Sequence, residues 1–118
     1  KKERLINTRK ILKYSKMKVL KFGGTSVGSA ERMKHVAKLV TDESAKIVVL
    51  SAMSGTTNSL VAIGEKFSKD DKAGARALIE ELEAKYYVTT KELYSTDEYL
   101  QQGNDVVKEH FNFMKSLL

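Results

Sequence analysis

Lys18-Val19-Leu20-Lys21-Phe22, running directly into Gly23-Gly24-Thr25-Ser26-Val27-Gly28, sets the architecture expected of this chain. The first five residues read as a short strand with Val19 and Leu20 at its apolar centre. The six that follow carry neither helical nor strand periodicity and form a glycine-rich turn. Ser29 stands where an N-cap belongs, with Glu31 in the first turn, where the helix dipole favours an acid. Met33, Val36, Ala37 and Val40 then fall at i, i+3, i+4 and i+7, the apolar stripe of a helix. Residues 41–45 are a polar connection. Residues 46–53 contain Ile47-Val48-Val49-Leu50, a run of the kind buried on both faces of a parallel sheet. Strand, helix and strand within about 35 residues make a βαβ unit with a right-handed crossover.

Helical periodicity takes over downstream. Leu60, Ile63 and Phe67 share one side of a helix, and residues 68–72 make a polar break. Ala75, Leu78, Ile79, Leu82 and Tyr86 mark the stripe of a long helix. Thr96-Asp97 and Gly103-Asn104 read as stop and restart signals. A last helix carries Val107, Phe111, Met114 and Leu118 on one face. No internal repeat or low-complexity segment appears. Two strands are too few for a doubly wound sheet, and a lone parallel pair is exposed on both edges. The pattern therefore reads as the first part of an α/β domain. The alternative is a small α+β domain, complete in itself, with two strands packed on helices.

Composition narrows the function classes. The chain has 118 residues, 42% hydrophobic and 31% charged, with no cysteine, proline or tryptophan. That is enough for one domain and argues against wholesale disorder. Without cysteine there is no disulfide framework, zinc–thiolate site or thiol nucleophile. No apolar run reaches the roughly 18 residues of a membrane span, so a cytoplasmic location is expected. The net charge of +6 is unevenly placed. Residues 1–21 hold nine cations against Glu3 alone, whereas residues 22–118 hold 12 cations against 14 acids. The basic character belongs to a leading segment, read as an extension over residues 1–16, with the domain occupying residues 17–118. A nucleic-acid surface would place its charge on the folded body, so no nucleic-acid partner is expected.

Two loops leave the carboxyl ends of the two strands, which is where open α/β sheets bind ligands. In the first, Gly23 and Gly24 let an anion approach the backbone N–H groups with no Cβ in the way. The following helix N-terminus and the Lys21 ammonium favour the same charge. Phosphate is the ligand class this points to, although many such turns bind nothing. The second loop is Ser51-Ala52-Met53-Ser54-Gly55-Thr56-Thr57-Asn58. Its hydroxyls and amides suit a carboxylate or a second phosphate. Equally, Thr57 or Asn58 could simply cap the next helix.

Lys21-Phe22-Gly23-Gly24-Thr25-Ser26-Val27-Gly28 resembles the signature that opens aspartate kinases. Val48-Val49-Leu50-Ser51-Ala52-Met53-Ser54-Gly55-Thr56-Thr57-Asn58 is similar to the second loop of the same family, in the same order and at a matching separation. Acetylglutamate and uridylate kinases share the Lys-x-Gly-Gly start but usually lack the Thr-Ser-Val continuation. The resemblance is strong over residues 17–60 and looser to Leu118. It implies the N-terminal portion of a three-layer amino-acid kinase fold with a mainly parallel sheet. It further implies that Lys21 contacts the transferring phosphoryl group of ATP as the catalytic residue. Gly23 and Gly24 would donate backbone N–H bonds to it, and Thr25 and Ser26 would line the same pocket. Ser51, Gly55 and Thr57 would shape the aspartate side. The implied reaction converts L-aspartate and MgATP to 4-phospho-L-aspartate and ADP, the first step towards lysine, threonine and methionine.

A homo-oligomeric parent protein and no membrane partner go with that resemblance. Further catalytic segments of the family find no match here, so the 118 residues alone are expected to show little kinase activity. The alternatives are a superfamily kinase with a different acceptor, and a non-catalytic binding or assembly module. Glu80, Glu81, Glu83 and Glu109 are expected on solvated helix faces, and His35 and His110 stand without metal-ligand spacing. Tyr86, Tyr87, Tyr94, Tyr99, Phe111 and Phe113 could look like a stacking surface, but helical packing against the remaining half of the domain is the expected role.

Overall fold

The computed structural model describes residues 17–118, and the extension read at residues 1–16 lies outside them. Six elements follow one another: β1 (Lys18–Phe22), α1 (Ala30–Val40), β2 (Lys46–Leu50), α2 (Thr56–Ser68), α3 (Lys72–Leu93) and α4 (Asp97–Ser116). β1 and β2 pair in parallel, Lys18 opposite Lys46 and Phe22 opposite Leu50. Ser29 caps α1 as expected, its hydroxyl accepting the Arg32 N–H at 3.3 Å. The βαβ reading holds to the residue at β1, and β2 ends at Leu50, before the small polar residues begin.

Alternation along the strands divides the sheet into two unlike faces. Leu20 and Phe22 share a face with Val48 and Leu50, and Phe22 looks across a groove to Val36 and Leu39 of α1. The other face carries Val19, Lys21, Ile47 and Val49. The expectation of a strand buried on both sides is met on neither face: Val19 is 65% exposed, Ile47 50% and Val49 44% here, and Leu50 59% on the α1 side. A β-branched run specifies a sheet that is covered on both faces. No described helix packs closely over this face.

The core belongs to the helices. Ile63 of α2, Ala75, Ile79 and Leu82 of α3, and Val107 and Phe111 of α4 form one buried cluster, with Leu78, Tyr86, Tyr87, Met114 and Leu118 packed around it. The stripe read on α3 is thus the one that packs. Of the apolar stripe on α2, Ile63 is buried, while Leu60 and Phe67 line a shallow groove beside Leu117. Tyr86 meets Phe111 edge-on, with ring centroids 5.5 Å apart and planes at 61°. Tyr99 and Phe113 are exposed.

Two further expectations need correcting. Gly103 and Asn104 do not interrupt the last helix but lie inside α4. A Cβ on Gly103 would stand 2.7 Å from the Tyr94 ring, so the missing side chain lets that ring approach. Asn104 accepts the Thr90 hydroxyl at 2.6 Å, which uses its polar group across the α3–α4 interface. Glu83, expected in solvent, forms a largely covered ion pair with Lys115 that ties α3 to α4.

Asp71 caps α3 by accepting the Gly74 N–H at 2.8 Å, and Lys66 lies 2.9 Å from its other oxygen. The Lys66 bond first, and the Gly74 bond second, hold the Asp71 carboxyl below its usual range. At the start of β2, Lys46 and then Ser44 depress Asp42 similarly. A carboxylate whose folded pKa is lowered adds stability above its unfolded pKa, and that stability is lost as pH falls through the folded value. Lowering the pH below about 4 should therefore reduce the urea midpoint progressively. Asp71→Asn keeps a cap and removes the titration, so its midpoint should fall less steeply over the same interval.

Candidate functional site

The first loop is a tight turn closed on one carbonyl. Ser26 and Val27 donate their N–H groups to the Gly23 carbonyl at 2.9 and 3.3 Å. The Gly24 and Thr25 N–H groups find no backbone partner among the described residues. Arg32, one turn into α1, donates through Nη1 to the Thr25 carbonyl at 2.6 Å and pins the loop to the helix it precedes. Val27 and Ala30 are buried and anchor the turn from below.

The second loop lies directly against the first. Ser51 donates its N–H to the Phe22 carbonyl at 3.0 Å, continuing the ladder one step past both strands. A Cβ on Gly24 would come within 3.3 Å of the Ala52 carbonyl and 3.8 Å of Ser51 Oγ. A Cβ on Gly28 would lie 3.0 Å from the Gly24 carbonyl and 3.1 Å from Ser54 Cβ. Both glycines are therefore needed for close approach between the loops. Gly28→Ala should cost about 1–3 kcal/mol, since backbone and a neighbouring Cβ must both give way. Urea denaturation of the purified chain measures it.

The second loop turns into α2 at Gly55, whose φ of +86° is left-handed and favours glycine. Gly55 itself occupies the N-cap, with no side-chain cap bond, so neither Thr57 nor Asn58 plays the capping role considered for them. Thr56, a buried polar residue, exchanges a hydrogen bond with the Tyr86 hydroxyl at 2.9 Å. Lys85 donates to the Ser54 carbonyl at 3.1 Å. Neither helix residue was singled out for the loop in the sequence. Their bonds span 30 and 31 residues, and no local pattern marks them.

The residues singled out in the sequence are partly gathered. Gly23, Gly24, Ser51 and Gly55 lie in the two apposed loops. Thr25 and Ser26 border a groove of about 830 Å³ along α1, together with Arg32 and His35. Ser51 borders a second cavity of about 380 Å³, floored by Tyr86 and Val107. Thr57 is exposed in the first turn of α2. Lys21 is exposed near the end of β1, opposite Val49 on the bare sheet face, and lines neither cavity. Among the described residues, no three His, Cys, Asp or Glu side chains stand together as a metal site.

Two glycine-bearing turns at adjacent parallel strand ends coincide with a known domain type. The model of the amino acid kinase family matches residues 16–112. The chain belongs to the amino acid kinase family. Within it, the chain is similar to chloroplastic aspartokinase 1 of Arabidopsis thaliana, 58% identical over 50 residues, covering 41% of this chain and 9% of that protein. The aspartokinase of Geobacillus stearothermophilus is 52% identical over 54 residues, covering 42% of the chain and 13% of that protein. The chloroplastic bifunctional aspartokinase/homoserine dehydrogenase 1 of Arabidopsis thaliana is 37% identical over 105 residues, covering 85% of the chain and 11% of that protein. The chain thus spans about a tenth of the length of these curated relatives. As an amino acid kinase domain it supplies the opening βαβ unit and a helical layer, and the expected α/β class is the one observed.

Proposed function

We propose that this chain is the opening part of the catalytic domain of an aspartokinase, which transfers the γ-phosphoryl group of ATP to the side-chain carboxylate of L-aspartate. The observation that carries this reading is the apposition of the two loops, Gly24 against Ala52 and Gly28 against Ser54, at the ends of β1 and β2. That apposition supports the reading because it sets the Gly24 and Thr25 N–H groups in a loop packed against the one that carries the Ser51 hydroxyl.

The chemistry asks for little more from this part of the domain. The acceptor carboxylate, with an ordinary pKa near 3.9, is already ionised at neutral pH and needs no general base. The barrier lies in bringing two anions together and in stabilising charge on the moving phosphoryl group. Phosphoryl transfer is accordingly a matter of positioning and electrostatics. Lys21 supplies the cation, and the Gly23–Gly24 backbone supplies preorganised donors. Thr25 and Ser26 complete the phosphate side, while Ser51, Gly55 and Thr57 form the acceptor side. Mg2+ would arrive with the nucleotide. Among the described residues, no three His, Cys, Asp or Glu side chains stand together to hold it. A cytoplasmic, homo-oligomeric enzyme feeding lysine and threonine synthesis is part of the same reading.

The test is acceptor choice in the full-length protein. With ATP and L-aspartate, ADP release should be matched by an acyl phosphate trapped as its hydroxamate. Turnover with glutamate or acetylglutamate in place of aspartate would replace the reading with a kinase of different acceptor. No ATP binding at all would favour an assembly module.

A further inference from the structure

The second loop is held from outside the βαβ unit by two consecutive residues of α3. Tyr86 bonds Thr56, on one side of Gly55, and Lys85 bonds the Ser54 carbonyl on the other. Tyr86 is fixed in turn by its edge contact with buried Phe111. Thr56 has a packing reason for its bond, because a covered hydroxyl must find a partner. Lys85 has none: its side chain is exposed, and an ammonium there would be well solvated without any protein contact.

What the Lys85 bond does is fix one peptide plane. The Ser54 carbonyl belongs to the peptide that enters Gly55, the left-handed residue at which the chain reverses into α2. A peptide next to a left-handed glycine has few steric constraints on its own orientation. A charge-assisted bond to its carbonyl selects one orientation. That choice sets the path from Ser51 to Thr57, and with it the separation of the two hydroxyls on the acceptor side. The Lys85 ammonium also lies 3.4 Å from where a Gly55 Cβ would stand, so it is seated on the turn itself.

We infer that Lys85 is a positioning residue for the acceptor carboxylate, acting through the Ser54 carbonyl on the loop that carries Ser51 and Thr57. This rests on the aspartokinase reading above. Substrate position is sensitive to displacements of about 1 Å, which can cost as much as 100-fold in rate.

The experiment is steady-state kinetics on full-length Lys85→Met, which keeps the aliphatic stem and removes the donor. The KM for aspartate should rise about tenfold or more while the KM for ATP stays within about twofold. The rise should persist at high ionic strength, where the field of an exposed charge is screened. The thermal midpoint should not move. An unchanged aspartate KM overturns the inference, as does a rise that vanishes in salt or an equal rise for both substrates. Lys21→Ala, assayed beside it, separates the two claims. If Lys21→Ala keeps its turnover, the phosphoryl-transfer reading itself fails. If Lys21→Ala is crippled and Lys85→Met binds aspartate normally, only the positioning role is lost.

Discussion

Lys21→Ala in the full-length protein should lower kcat by about 100- to 1,000-fold, the loss typical of removing one preorganised group from a charge-stabilising site. The substitution tests chemistry with little structural interference. Lys21 is exposed on the bare face of β1, and no ion pair or side-chain hydrogen bond involves it among the described residues. Exposed positions of that kind usually shift stability by no more than about 0.5 kcal/mol. The thermal midpoint should therefore stay near that of the unaltered protein while turnover collapses. Because the lost interaction grows as charge develops on the moving group, kcat should suffer more than the KM for ATP. Turnover within a few-fold of the original would remove Lys21 from the site and take the phosphoryl-transfer reading with it.

Phe111→Ala should have the largest effect on stability, about 3–5 kcal/mol. Phe111 is 5% exposed and lies in the cluster formed by α2, α3 and α4. Its removal leaves a cavity where the rigid helices cannot collapse, and it takes away the edge contact with Tyr86. A domain of ordinary stability has only about 5–15 kcal/mol in total, so much of it would go. Urea denaturation of the purified chain reads this as a lower midpoint with an unchanged slope. The loss should also reach the second loop, because Tyr86 holds Thr56. Amide exchange over residues 54–59 should accelerate in the same variant. Phe113→Ala, two residues on but 65% exposed, is the comparison and should stay close to the parent. Equal destabilisation by both would mean that the core is not where α3 and α4 meet.

These two residues also show what sequence reading could and could not reach. Lys21 is singled out by its place before two glycines at a strand end, whereas the fold leaves its side chain exposed and lining neither cavity. Phe111 was legible from periodicity, because a residue four positions after Val107 must share its face of a helix. Phe113 was not separable from it by type, and only packing decided that one ring is buried and the other exposed. Gly103 is a parallel case: a glycine reads as a helix stop by type, and only packing brings the Tyr94 ring to where its side chain would stand. Glu83 reads as a surface acid by sequence alone, because its partner Lys115 lies 32 residues away.

The amino-acid order alone determined the βαβ unit, the Ser29 cap, the three longer helices and the two loops, because each depends on neighbours within a turn or a strand. Tertiary structure alone decided that Gly28 touches Ser54, that Thr56 leans on Tyr86 and that Lys85 reaches the Ser54 carbonyl. The first joins loops that the parallel pairing of β1 and β2 sets side by side, and the other two depend on how the buried side chains of three helices interlock, which no local pattern encodes.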